Sequence, residues 1–186
     1  LVPIQNKFKT MAKKNSSLNF KKNYYRERNS ILKAKKNIRL RQLAENEINT
    51  FFIIARLSGF EQKSILKNKK ILDLGSGDQF LKCSMVKRKA DYNPIDIDTT
   101  DFNTDQLPFK SNSFDIIFSL AVIEHIHGIS NYLSEALRVL KPGGLFYLST
   151  PNFRYCYKSF YDDPTHVNPF TDKSLEKVLF FNSFKN

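Results

Sequence analysis

The segment Ile71-Leu72-Asp73-Leu74-Gly75-Ser76-Gly77-Asp78 concentrates residue types that handle a ligand. A short apolar run ends in a glycine pair, where the backbone can take a positive φ and come close to a bound molecule. In an open α/β sheet, ligands bind beyond the carboxyl ends of the strands, where such a loop would lie. A dinucleotide fingerprint would carry a third glycine at position 80, which is Phe80, and would not place an acid inside the strand. Asp73 and Asp78 instead make the loop acidic, so a ligand with positive charge suits it better than a pyrophosphate. The chain has three histidines, His125, His127 and His166, the residue type best suited to take a proton at neutral pH. Its two cysteines, Cys83 and Cys156, make no disulfide framework and lack metal-ligand spacing. Both are expected as buried thiols in a reducing, cytoplasmic setting.

Positioning that loop requires a sheet, and the pattern around it supplies one. Ile71–Leu74, Tyr92–Ile97, Phe114–Ser119 and Leu145–Ser149 read as short strands, with Phe114–Ser119 a continuous apolar run of the kind buried in a parallel sheet. Phe80–Lys89 and Asn131–Leu140 read as helices between them, and Pro142-Gly143-Gly144 as the break after the second. Thr171 is placed to cap a last helix whose Leu175, Val178 and Leu179 face inward. Upstream, Leu40, Leu43, Ala44, Ile48, Phe51 and Ala55 recur at helical steps over 31–58, and Gly59 provides a stop. Strand–helix alternation with short connections predicts an α/β fold, a three-layer parallel sheet with helices on both faces.

In order along the chain, these motifs resemble the Rossmann-like class of S-adenosylmethionine-dependent methyltransferases. Asp73-x-Gly75-x-Gly77 looks like the first motif of that family, and Asp96-Ile97-Asp98 stands where its members hold the ribose hydroxyls. Leu107-Pro108-Phe109 and Asn112-Ser113-Phe114-Asp115 resemble the link into the family's fourth strand; Glu124-His125 follows, and Leu140-Lys141-Pro142-Gly143-Gly144 matches its most recognisable turn. The resemblance covers roughly 70–182 and implies S-adenosylmethionine as cofactor. It places Gly75 and Gly77 against the methionine moiety, Asp73 toward its ammonium, and Asp96, with Asp98 as a lesser partner, on the ribose. Asn103, four residues before Leu107, falls where relatives carry an acid that reads the adenine amine. The chain then divides into a basic, poorly ordered segment over 1–29, an amphipathic helical region over 30–69, and a methyltransferase-like domain over 70–186.

The chain departs from the family pattern in three places. Gln79 replaces the third motif glycine, which is expected to crowd the cofactor. Too few residues separate Asp98 from Leu107 for a helix and a full strand, so that edge of the sheet should be abbreviated. The chain stops at Phe184-Lys185-Asn186, where relatives begin an antiparallel hairpin. A truncated frame is therefore expected, with the buried-looking run Leu145–Ser149 left as a sheet edge.

A hydroxyl acceptor needs its proton removed as the methyl group arrives, and His166 is the leading base, with His125 second. The resemblance puts His166, in Tyr161-Asp162-Asp163-Pro164-Thr165-His166, on a loop over the substrate; Asp163 or Asp162 nearby is expected to orient the ring, and without the final hairpin the loop is expected to be anchored on one side only and mobile. Ala121 stands where metal-binding relatives carry an earlier acid, so no metal is expected. The chain also lacks the Pro-rich tetrad of base-amine methylation and the Pro-Cys of carbon-5 chemistry. The motifs favour a small-molecule or glycan acceptor.

Charge supplies the alternative. The net charge is +12, and residues 1–70 carry 18 Lys/Arg against 4 Asp/Glu, while 71–186 are slightly acidic. A basic arm can bind nucleic acid, which keeps RNA or DNA methylation, or a cofactor-binding module without turnover, as the other readings. With 41% hydrophobic and 26% charged residues, the chain is neither collagen-like nor disordered throughout. No apolar run approaches the ~18 residues that span a bilayer.

Overall fold

Ile71, Ile116, Phe118 and Tyr147 fall on one face of a four-stranded sheet, and Leu72, Leu74, Ile117, Phe146 and Leu148 on the other, each face with its own apolar cluster. This alternation is what makes three layers, since each face has to be covered by helices. The computed structural model describes residues 37–59 and 65–184. The basic segment 1–29 and the expected start of the first helix lie outside the described residues. In chain order the elements are α1 (Asn37–Leu57), β1 (Lys70–Leu74), α2 (Lys82–Lys87), β2 (Asp91–Ile95), β3 (Phe114–Leu120), α3 (Ile129–Val139), β4 (Leu140–Ser149), α4 (Phe153–Cys156) and α5 (Asp172–Phe181). The strands are all parallel, in the order β2-β1-β3-β4. The chain passes from β1 out to β2 and back to β3 on the other side of β1, so the strand order reverses between β1 and β3. Beyond the carboxyl ends of strands at such a reversal is where an open α/β sheet binds its ligands.

Helix α1 covers one face through Ala44, Ile48, Phe51 and Ala55, all buried at three- and four-residue steps. Leu43, expected on that face, is exposed, because it precedes Ala44 by one residue and points about 100° away. The Phe51 ring packs 4.9 Å from Phe118 and 5.5 Å from Tyr147, pinning α1 to β3 and β4. Gly59, at φ +87, ends the helix as expected, with its amide donating to Arg56. On the opposite face α3 buries Tyr132, Leu133, Ala136 and Val139, and α5 leans Leu175, Val178 and Leu179 on the same cluster. Thr171 and Ser174 make a reciprocal capping box at the start of α5. Thr171→Ala is expected to cost about 1 kcal/mol, seen as a fall of roughly 2–4 °C in melting temperature.

Two elements differ from the sequence reading. Pro142-Gly143-Gly144 does not separate helix from strand: β4 begins at Leu140, opposite Phe114, and resumes with Leu145 opposite Ile116. The residues between bulge outward, which an outer strand permits because Pro142 owes no ladder hydrogen bond on that side. β4 is one of the two outer strands among the described residues, as expected, but its Leu145, Phe146 and Leu148 are half-buried, not fully buried. Residues 96–113 contain only turns, so the edge beyond β2 is abbreviated as expected. Cys83 is exposed and Cys156 half-buried; Ser84 and Met85, not Cys83, are the buried residues of α2.

Candidate functional site

At the carboxyl ends of β1 and β3 the loop after one strand packs against the residue after the other. Gly75 follows β1 at φ +87, and its amide and that of Ser76 both donate to the Ile95 carbonyl. A Cβ on Gly75 would run into the Val122 side chain, which follows β3. Glycine is therefore demanded twice, by conformation and by space. Gly77 and Gln79 also lie at positive φ, 49° and 55°. Gln79 thus occupies a backbone position that glycine takes without strain, which explains the family preference from which it departs.

Acids surround this loop. Asp73 is buried inside β1 and accepts a hydrogen bond from the Tyr92 hydroxyl on β2. Burial pushes its carboxyl up to about 7, with the Tyr92 bond pulling down and the charge of Asp96 adding to the rise. Asp96, half-buried just after β2, accepts from the Gly77 amide and, at 2.6 Å, from the Ile97 amide. Burial raises its pKa against those two amides, and the nearby carboxylates of Asp98 and Asp78 raise it further. Asp98 is exposed. Asn103 lies on the neighbouring loop, where its Oδ1 accepts from the amides of His127 and Gly128 and its Nδ2 donates to Asp101. Its amide oxygen braces the entry to α3, so the same atom would have to be shared to read an adenine.

The histidines separate into a pair and an outlier. His125 closes the short 3-10 turn Ile123–His125 after β3, and His166 comes from the loop between α4 and α5. Their rings lie 4.7 Å apart, whereas His127 is exposed. The His166 loop is tied to the turn after β3. Val167 and Asn168 donate their amides to the Glu124 carbonyl, and the Asn168 side chain donates to Ile126. Asp163 accepts from the His166 amide through its carbonyl. Its carboxylate accepts from the Thr165 hydroxyl, which lies 2.9 Å from His125 Nδ1, so Asp163 reaches His125 through Thr165. His166 Nδ1 sits on the Phe160 carbonyl. Sequence reasoning missed Tyr92, Thr165 and the role of Glu124; only the adjacency of Glu124 and His125 marked the last.

A parallel sheet with its strand order reversed beside a glycine loop, and an acid after the second strand, defines a Rossmann-like cofactor-binding domain. Residues 72–148 match the family described as "Methyltransferase domain". A "Probable S-adenosylmethionine-dependent methyltransferase" of Mycolicibacterium smegmatis is 38% identical over 99 residues, covering 53% of this chain and 37% of that protein. The "Ubiquinone biosynthesis O-methyltransferase" of Pelagibacter ubique is 26% identical over 133 residues, covering 62% of this chain and 53% of that one. The chain thus spans about half or less of the length of these relatives. In structure it resembles a SAM-dependent methyltransferase of Aquifex aeolicus, with a TM-score of 0.58 at 15% identity, covering 84% of this chain and 87% of the other. Over residues 72–148 the chain is similar to the methyltransferase-domain family, in a fold of the Rossmann-like class.

S-adenosylmethionine is the cofactor that this class implies, and the residues fit it. The absent Cβ of Gly75 leaves room for the loop at the carboxyl ends of β1 and β3, and Asp73 and Asp96 put carboxylates where a cationic ligand with vicinal hydroxyls needs them.

Proposed function

We propose that this chain methylates a hydroxyl group of a small molecule or glycan, using S-adenosylmethionine. The observation that carries the reading is the convergence of His125, His166 and the buried Glu124, from two chain segments, at the end of β3 beside the glycine loop. The printed name of the Pelagibacter relative, an O-methyltransferase, supports a hydroxyl acceptor. When bound, the cofactor supplies an electrophilic methyl group on a sulfonium. Asp73 would receive its ammonium and Asp96 its ribose hydroxyls, through the lone pairs left by the Gly77 and Ile97 amides. Gly75 and Gly77 would bring backbone against the methionine moiety. Holding the acceptor oxygen in line with the methyl group lowers the barrier by several kcal/mol through proximity alone. The cluster of His125 and His166 would then assist loss of the hydroxyl proton, with the imidazoles fixed by Thr165 and by the Phe160 carbonyl.

Calorimetry with S-adenosylmethionine and its demethylated product, followed by a methyl-transfer screen over hydroxyl acceptors, tests the proposal. No binding by the folded chain would defeat it. Steep loss of nucleic-acid affinity with salt, together with methylation of that nucleic acid, would move the acceptor to RNA or DNA. Within the cofactor grip, Asp96→Ala is expected to weaken binding roughly tenfold to a hundredfold, about 1.5–3 kcal/mol for a charge-assisted hydrogen bond. Asp98→Ala, at an exposed position, should change it much less. Equal and negligible effects would show that the ribose is held elsewhere.

A further inference from the structure

Glu124 is fully buried, yet its Oε1 has no hydrogen-bond partner among the described residues. Its other oxygen, Oε2, accepts from the Thr150 hydroxyl at 2.9 Å. A buried acceptor left unpaired costs about 1–3 kcal/mol, and more when charged, so something is expected to meet Oε1. What faces it is imidazole. His125 Nε2 lies 3.9 Å from Oε1, and one donor atom from each of Glu124, His125 and His166 falls within 4.8 Å of the others. Each ring is tethered through its Nδ1. His166 Nδ1 bonds the Phe160 carbonyl, and His125 Nδ1 bonds the Thr165 hydroxyl, which donates to Asp163. Metal-bound histidines are oriented in this way, with the second ring nitrogen donating to a carbonyl or to a relay ending in a carboxylate.

We propose that Glu124, His125 and His166 form a site for a divalent cation of the zinc type. Two neutral imidazoles and one carboxylate are a ligand set that zinc and its first-row neighbours accept. Three protein ligands leave one tetrahedral position open, the pattern of a site that binds a further oxygen ligand, as opposed to a closed structural site. Metal–ligand bonds of about 2.0–2.2 Å bring donor atoms to roughly 3–3.5 Å from one another, so binding draws the three residues together by about an ångström. Ala121 removes the earlier acid expected of metal-binding relatives, and His166 brings a third donor from a segment 45 residues further along. The site stands on these residues alone; with a cation bound the two imidazoles serve as ligands in place of bases, and its use, lowering the pKa of the acceptor hydroxyl, rests on the function proposed above.

The test is titration of the full chain, stripped with chelator, with Zn²⁺ in the calorimeter and with Co²⁺ in the visible spectrometer. One equivalent should bind, with the absorption bands of low-symmetry, four-coordinate cobalt. Glu124→Gln and His166→Ala should each weaken uptake at least tenfold, while His127→Ala, at an exposed position outside the cluster, should leave it unchanged. Thermal melts of every variant establish that it folds, and His166→Asn replaces any variant that does not. No stoichiometric uptake, or uptake indifferent to both substitutions, overturns the site. Methylation without metal would leave the function standing and remove the site from it; metal uptake without methylation of any hydroxyl would leave the site and defeat the function.

Discussion

Titrating S-adenosylmethionine into the Gly75→Val protein is expected to give no binding heat, although the domain still folds. Two costs combine at this position. A side chain at φ +87 is strained by about 1–2 kcal/mol. Its Cβ also overlaps the Val122 methyl groups, and forcing extra atoms into a packed site adds typically 1–3 kcal/mol. The loop relieves both by moving, and the moving part is the backbone that must lie against the cofactor. The double variant Gly75→Ala/Val122→Ala separates the contributions: it clears the overlap and keeps the φ strain, so part of the affinity lost in Gly75→Ala should return. If Gly75→Val binds as tightly as the parent, the glycine loop is not the cofactor cradle.

Asp73 should produce opposite pH trends in two measurements on the same protein. Its folded value of about 7 stands above the ordinary 3.8, because burial disfavours the charged form. Such a group contributes stability that is complete below the unfolded value and is lost as pH rises through about 7. The melting temperature of the ligand-free protein should therefore fall from about pH 4 to pH 7 and level off above that. The ammonium of the cofactor prefers the carboxylate, so affinity should climb over the same range. Tyr92 and Asp96 are the titratable groups that set this value, and Tyr92→Phe, which deletes the only one of the named influences that pulls downward, should move both midpoints up. Asp73→Asn should flatten both curves and, at pH 8, weaken binding roughly tenfold to a hundredfold. Cofactor affinity that is level from pH 6 to 8 in the parent would show that Asp73 does not change charge in this range.

The strands were readable because their apolar residues are contiguous in the chain. Phe114–Ser119 is buried on both faces, and a run of that kind has few other places to go. The glycine loop was readable for a related reason: Gly75 and Gly77 lie within four residues of Asp73, and local chemistry leaves a local trace. Contacts between distant segments left none. The pairing of Asp163 with His125, through Thr165, joins residues 38 apart in the chain, and sequence adjacency pointed to His166 instead. The oxygen of Asn103 was assigned to a ligand from its offset to Leu107, but it lies against amides 24 and 25 residues downstream. The Pro142-Gly143-Gly144 run obeyed the rule for breaking a helix and was then absorbed into an edge strand, because a bulge there disturbs one neighbour only. Leu43 followed helical spacing and still faces solvent, since the stripe on α1 is narrower than its apolar composition.

The double hold of Val167 and Asn168 on the Glu124 carbonyl makes the turn after β3 and the loop carrying His166 a single cooperative unit. Such units open together, so these amides should exchange with solvent at one common rate. The same stitching constrains how acceptor preference can be inherited or redesigned. Transplanting the 160–170 loop from a relative on its own keeps these bonds only where the incoming backbone brings two amides to the same place. Exchanged together with residues 121–127, it carries its own support, and the unit of variation is the pair of segments rather than either loop.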